Sequence, residues 1–251
     1  LSFSSAIIQT FVCCLIGYGF AKFKFKGNKA IFIAVVFSMI IPHQTLQYSM
    51  YLNFRYFDVL GIFQFLGGGG FNIFGHKILE GIRIFPESWE RFTDQGINLC
   101  NSFWPLILLS LSGLAFKNGL YVFLLRQFFK GVPDELEESA YIDGSNTFRT
   151  FIQIIIPLSV PMLITVFLFA FSWQWTDNFY TNVFFTNQKT LLMPHIVDIP
   201  QSLVTNYAGQ NMYYSAIRNT CGILIILPLV ILYLFCQRYI VQGIERSGIT
   251  G

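Results

Sequence analysis

Five long apolar runs, separated by polar stretches, set the plan of the chain. They extend from about Phe3 to Phe20, Ala30 to Leu52, Phe103 to Leu125, Pro157 to Trp175 and Asn219 to Cys236. Each fits the ~20 residues that a helix needs to cross a hydrocarbon core. Helix is required there, because lipid offers backbone N–H and C=O groups no other partner. The pattern predicts an all-α integral membrane fold with five visible spans in one membrane domain, 1–251. Pro42, Pro161 and Pro228 lie inside runs, where each removes a helix hydrogen bond and predicts a bend. His43, Gln44, Thr45 and Gln47 follow Pro42. That end of the second run either faces protein or water, or is an ordinary terminus near the headgroups.

Two polar stretches stand out between the runs. The first, from about Asn53 to Ser102, holds Gly67-Gly68-Gly69-Gly70 and a mixed run from His76 to Asn98. A phosphate-cradling role is disfavoured, because no Lys-Ser/Thr pair follows the glycines. Short helices packed on the membrane surface are the expectation, with Trp89 and Trp104 suited to the interfacial belt. The second stretch, about 130–157, reads as helix, glycine turn, helix. Val132-Pro133-Asp134-Glu135 opens a helix, because proline fits a first turn and carboxylates favour the positive end of the dipole. Leu136, Ala140 and Tyr141 recur at helical spacing and predict one apolar stripe. Gly144 closes the helix through a left-handed cap. Ser145 or Asn146 caps a second helix through Phe148, Phe151 and Ile155, and Pro157 opens the next span.

Composition narrows the setting. Hydrophobic residues make up 54% of the chain and charged residues 12%, about half the charged share of soluble domains. The net charge of +3 is small and dispersed, which points away from nucleic acid. Cys13, Cys14, Cys221 and Cys236 lie in apolar runs and Cys100 in a loop, so no disulfide framework is expected. Lys22, Lys24, Lys26 and Lys29 separate the first two runs. Arg126, Lys130 and Arg149 follow the third, and Arg238 and Arg246 follow the fifth. All fall on one side of an alternating path, so that side is cytoplasmic and the C-terminus lies there. The chain begins at Leu1 and enters an apolar run at once, which predicts a missing N-terminal piece.

The second stretch also carries a motif. Glu138-Ser139-Ala140, then Asp143-Gly144, then Ile154-Ile155-Ile156-Pro157 resembles the EAA loop of bacterial ABC importer permeases of the carbohydrate-uptake type. Phe123-Leu124-Leu125-Arg126-Gln127-Phe128-Phe129 just upstream and Gln237-Arg238-Tyr239 through Gly251 at the end are similar to the same family. Ser139 stands where the family usually has alanine, the outer stretch is longer, and one more N-terminal span is usual. The resemblance implies a type I importer bundle in the bacterial cell membrane. It implies that Glu138, Ser139, Ala140, Asp143, Gly144 and Pro157 couple the permease to an ATPase. It implies two ATPase subunits holding ATP and Mg, a second homologous permease and an extracytoplasmic solute-binding protein. This chain itself would hold no cofactor. Read without the resemblance, Glu137, Glu138 and Asp143 could form a metal cluster or an acid pair, but with no histidine nearby a solvated acidic face is favoured.

Candidates for the substrate pathway come from polar residues in or near apolar runs. Lys117 and Asn118 lie inside the third run. A central charge costs about 2.5–3.5 kcal/mol on insertion scales, so Lys117 should face the interior. It contacts substrate there, or pairs with a carbonyl or a carboxylate such as Asp177. Trp173, Trp175, Asp177, Asn178 and Tyr180 close the fourth run. Aromatic faces beside amides and carboxylates suit sugar rings, although an interfacial aromatic belt has the same composition. No Gly-x-Ser-x-Gly, His-Glu-x-x-His or Walker A pattern is present, and His43, His76 and His195 are scattered, so no catalytic or metal site is expected. The expected function is carbohydrate import by alternating access. An importer of another solute, a passive channel and a membrane enzyme are the alternatives.

Overall fold

The computed structural model describes residues 1–59, 62–63, 71–73, 76–79, 92–93, 95–115, 117–185 and 210–248. The glycine run at 67–70, Trp89, His195 and Gly251 lie outside the described residues. Two compact units divide the chain. The first comprises 1–41, 109–176 and 191–251, and the second 42–108 and 177–190.

The described residues of the first unit are mostly helical. The unit contains α1 (Ser2–Lys22), α2 (Asn28–Ser38), the end of α4 (Trp104–Ser112), α5 (Asn118–Lys130), α6 (Glu135–Ile142) and α7 (Thr147–Thr150). A π turn at Phe151–Ile155 leads into α8 (Ile156–Trp175), and α10 (Gln210–Gly248) ends the described chain. Among the described residues, three helices reach membrane-spanning length and apolarity alone: Ser2–Lys22, Thr147–Trp175 and Asn211–Gly243. A fourth span results if Asn28–Ser38 and His43–Arg55 are taken together.

Helix α1 buries its small and polar side chains: Ser5, Ala6, Gln9, Thr10, Cys13, Cys14 and Gly17 all face inward. Phe3, Ile7, Phe11 and Leu15, four residues apart in turn, are exposed. That is the reverse of a helix in water. With lipid as solvent, large apolar groups gain nothing by leaving the surface, and small ones let backbones approach. Gly17 shows the consequence. A Cβ there would lie 2.9 Å from the Leu125 Cβ and 3.2 Å from the Arg126 nitrogen.

The contacts also give direction. Gly17 meets Leu125, the Tyr18 ring lies 5.6 Å from Phe129, and Lys22 reaches Val132, so α1 and α5 run the same way. Phe3 packs on Phe167 at 5.4 Å and Tyr18 on Phe151 at 4.7 Å, so α8 runs against α1. Helix α10 runs against α8, with Gly243 beside Pro161 and Thr165, and Trp175 Nε1 donating to the Ile225 carbonyl at 3.0 Å. The end of α1 at Lys22, the 130–157 stretch and the Gly243 end of α10 therefore share one end of this unit.

Two expected spans are interrupted. The run from Ala30 to Leu52 stops as a helix at Ser38 and resumes in a 3-10 turn at His43–Leu46 and α3 (Gln47–Arg55). Pro42 has no N–H to return to Ser38, and its own backbone is extended, with ψ 125°. The run from Phe103 to Leu125 is two helices, α4 and α5. Gly113 is left-handed (φ +74°) and Leu114 N–H donates to the Leu109 carbonyl at 3.1 Å, which completes a Schellman stop. Lys117, also left-handed at φ +66°, sits in the break rather than in mid-helix.

The second unit holds the 3-10 turn, α3, most of α4, α9 (Phe179–Phe184) and two small antiparallel pairs. Strand β1 (Phe71–Ile73) pairs with β2 (His76–Leu79), and β3 (Phe92–Thr93) with β4 (Gly96–Ile97). Among the described residues of the 53–102 stretch these two strand pairs stand beside helical residues at 53–55 and 62–63, where short helices alone were expected. Phe71, Ile73, Ile78, Phe92 and Ile97 are residue types that suit a pleated surface. Gly96 is required, because a Cβ would stand 2.7 Å from the Phe57 carbonyl oxygen.

Candidate functional site

Helix α6 starts where proline and carboxylates predict it. The Asp134 carbonyl accepts from Glu137 N and Glu138 N, both at 3.0 Å. Glu135, Glu137 and Glu138 occupy the first turn, beside the positive end of the helix dipole. Its far end is a complete Schellman motif. Ser145 N–H donates to the Ala140 carbonyl at 2.9 Å and Gly144 N–H to the Tyr141 carbonyl at 3.0 Å. Gly144 has φ +81°, and nothing lies within 4 Å of a Cβ placed on it. The demand for glycine is conformational, not steric. Of the two candidate caps, Asn146 serves: its Oδ1 accepts from Arg149 N at 2.8 Å. Helix α7 continues through the π turn, in which Ile156 N–H donates to the Phe151 carbonyl. That wider register lies immediately before Pro157, which cannot donate. The glycine turn is therefore joined to α8 by uninterrupted helix.

The expected stripe of Leu136, Ala140 and Tyr141 is split. Ala140 is buried beside Glu137, whereas Leu136 and Tyr141 are partly exposed. Ile142 is 86% exposed and Phe148 70% exposed, one on each side of the Gly144 turn. Glu138 and Asp143 are exposed, and the Ser139 hydroxyl donates to the Glu135 carbonyl at 2.7 Å. Apolar and acidic groups thus stand together on the outward face of a rigid turn.

Behind that face lies Glu137, which the sequence reading places with Glu138 and Asp143 on a solvated acidic face, and which the fold buries instead. Glu137 is 7% exposed. One carboxylate oxygen accepts from the Tyr18 hydroxyl at 3.0 Å, and the other lies 3.3 Å from the Lys22 ammonium. Lys22 also donates to the Val132 carbonyl at 2.7 Å and to Asp134 at 2.6 Å. The Lys22 hydrogen bond and charge hold the Asp134 carboxyl below the usual carboxylate range.

At the opposite end of the first unit, Lys117 Nζ lies 4.9 Å from the centroid of Trp173. Asn118 is 1% exposed, and its side-chain oxygen and nitrogen both lack hydrogen-bond partners, as does the buried Tyr121 hydroxyl. Gln9, also buried, reaches Ser110 Oγ at 3.3 Å and Gln174 Oε1 at 3.4 Å. Of the residues closing the fourth run, Trp173 joins Lys117, while Trp175 stacks on Phe171 at 5.6 Å and bonds to α10. Asp177, Asn178 and Tyr180 belong to the second unit. There Asp177 accepts from Tyr180 N at 3.3 Å and Thr181 N at 3.1 Å, opening α9. Burial pushes the Asp177 carboxyl up, against those hydrogen bonds. Tyr180 is 2% exposed and stacks on Phe184 at 5.8 Å.

Comparison with known proteins bears on the family and the fold. The probable ABC transporter permease protein YurM of Bacillus subtilis is 23% identical over 253 residues, covering 98% of this chain and 66% of that protein. The alpha-glucoside transport system permease protein AglG of Rhizobium meliloti is 26% identical over 249 residues, 98% of this chain and 53% of its own length. The arabinooligosaccharides transport system permease protein AraQ of Bacillus subtilis is 24% identical over 251 residues, 100% of this chain and 71% of that protein. The chain therefore spans only about half to two thirds of the length of YurM and AglG. The crystal structure of a bacterial ABC transporter involved in the import of the acidic polysaccharide alginate superposes with a TM-score of 0.56. It is 18% identical and covers 95% of this chain and 74% of its own, which establishes a shared fold. Residues 14–246 match the family described as binding-protein-dependent transport system inner membrane component, and the chain belongs to that family of multi-pass membrane proteins.

Proposed function

We propose that this chain is a transmembrane subunit of an ATP-driven carbohydrate importer. Its cargo is an oligosaccharide or modified sugar. The observation that carries the reading is the Gly144 turn, which presents Ile142 and Phe148 at the lysine-rich end of the helical unit. Apolar side chains held outward on a capped turn are suited to a groove on another protein. Glu138, Ser139, Ala140, Asp143 and Gly144 make that docking element, and Pro157 joins it to α8. Two ATPase subunits, which carry ATP and Mg, occupy the cytoplasmic face with the C-terminus of this chain. A second, homologous permease completes the pathway, and an extracytoplasmic binding protein delivers the cargo. ATP-driven closure of the ATPases moves the turn and reorients the helices, giving alternating access. Carbohydrate is favoured as cargo because relatives named for alpha-glucosides and arabinooligosaccharides align along nearly the whole chain.

The test is co-purification. The tagged chain in native membranes should retain an ATPase, and Ile142→Asp with Phe148→Asp should release it while the permease stays in the membrane. An ATPase retained equally by both forms rejects the docking assignment. Vesicles holding the full complex and its binding protein should then take up radiolabelled oligosaccharide only when ATP is supplied.

A further inference from the structure

The two adjacent glutamates of α6 face opposite ways. Glu138 is exposed, as a docking residue must be, and Glu137 is buried. Docking onto a partner gives no reason to bury Glu137. Nor does simple stability, because desolvating an ion pair offsets most of its attraction. Burial of this kind is better suited to fixing one arrangement of two elements.

The geometry is that of a clamp. Tyr18 and Lys22 lie four residues apart on α1, hence on one face. Each takes a different oxygen of the Glu137 carboxylate, at 3.0 and 3.3 Å. The Lys22 ammonium reaches two further oxygens, the Val132 carbonyl and Asp134, which precede α6. The Tyr18 ring is enclosed by Phe23, Phe129 and Phe151, with centroids at 5.6, 5.6 and 4.7 Å. Those rings keep water from competing for the carboxylate. Phe151 also belongs to the π turn that opens into α8. One turn of α1 therefore holds the docking helix and the root of the following span together.

We infer that Glu137 is a positioning residue that clamps α6 to the end of α1 through Lys22 and Tyr18. Movement of the docking turn then reaches α1 directly, and not only along α8. The inference rests on the reading that α6 docks on an ATPase, and it adds a second route of transmission that no feature of the motif contains.

The test uses the complete transporter in nanodiscs, with native cysteines replaced and spin labels at Glu135 of α6 and Leu15 of α1. Both positions are exposed, and neither belongs to the clamp or to the Ile142–Phe148 face. Distances are measured without nucleotide, with Mg-ATP and after vanadate trapping. With the clamp intact, the distance stays the same in all three states. In Glu137→Gln combined with Tyr18→Phe it should shift by about 2 Å or more between states, the scale of a helix displacement at an interface. Glu137→Gln alone keeps size and an acceptor for Tyr18, so it folds if the double variant does not, and it should show a smaller shift of the same sign. A nucleotide-dependent shift already present with the clamp intact, or an unchanged distance in both variants, overturns the inference. ATP hydrolysis is followed in the same samples. A permease that binds no ATPase rejects the functional reading and this inference with it, whereas normal hydrolysis with labels that move while the clamp is intact rejects the clamp alone.

Discussion

The two ends of the helical unit solve the problem of polar groups in a membrane protein in opposite ways. At the Lys22 end the polar groups are charged and paired: an ammonium, two carboxylates and a phenol form one connected set, in which Glu137 Oε1 meets Lys22 as an ion pair without a hydrogen bond. At the Lys117 end they are mostly neutral amides and hydroxyls, and several are unmatched, including both amide atoms of Asn118. A charge-paired network holds one arrangement, while unmatched neutral groups leave free energy to be recovered in another. The first property suits an element that transmits force. The second suits a seam whose polar groups find partners when cargo or water enters.

The largest break in that contrast should come from Lys22→Met. It leaves Glu137 buried without its cation, and removal of one partner from a buried pair costs about 3–5 kcal/mol. The expected result is a marked fall in the thermal stability of the detergent-solubilised permease, partly restored by the further change Glu137→Gln. Unchanged melting would mean that water reaches the carboxylate and that the network is not buried.

Gly144→Val should cost less in stability and more in transport. A left-handed conformation costs a non-glycine residue about 1–2 kcal/mol, and more for a β-branched one. The variant is expected to express and to lose ATP-driven uptake. Gly144→Asn should keep most of it, because asparagine tolerates that conformation and nothing crowds a side chain there. Equal loss in both variants would point to contact with the ATPase rather than to backbone shape.

Asn118→Leu sharpens the comparison from the other end. Replacing an unsatisfied buried amide by an apolar group of similar size should leave stability unchanged or raise it by about 1 kcal/mol. Uptake per assembled complex should fall, since the group is kept for the other state. Unaffected uptake would reduce that end to imperfect packing. The smallest effect is expected at Lys117 and Trp173, whose cation–π contact is worth about 0.5–2 kcal/mol. A double-mutant cycle of Lys117→Met with Trp173→Leu, read as uptake, should show coupling of that order. Additive losses would separate the two residues.

Much of the 130–157 stretch was legible because its determinants are local. Pro133, Gly144 and Asn146 act on backbone groups no more than five residues away, so spacing alone predicts helix, left-handed turn and cap. Leu136, Ala140 and Tyr141 read as one apolar stripe, of which only Ala140 is buried, because periodicity finds a helix face without saying what covers it. The residues from Trp173 to Tyr180 form one polar-aromatic run in sequence, yet they divide among a cation–π contact, an interhelical bond and a helix cap.

The amino-acid sequence by itself determined the membrane class, the shared lysine-rich end and the shape of the Gly144 turn. Apolar length, charge asymmetry and proline or glycine conformation act within a few residues, or by simple summation along the chain. Tertiary structure alone decided three other features. It turned the small face of α1 inward, since a helix with no charge before Lys22 has no outward side along its body until a neighbour fits it. It placed Lys117 in a break rather than in mid-span. And it brought Lys22 and Tyr18 to Glu137 across more than a hundred residues, because an ion pair depends on distance in space, to which spacing along a chain of this length gives no guide.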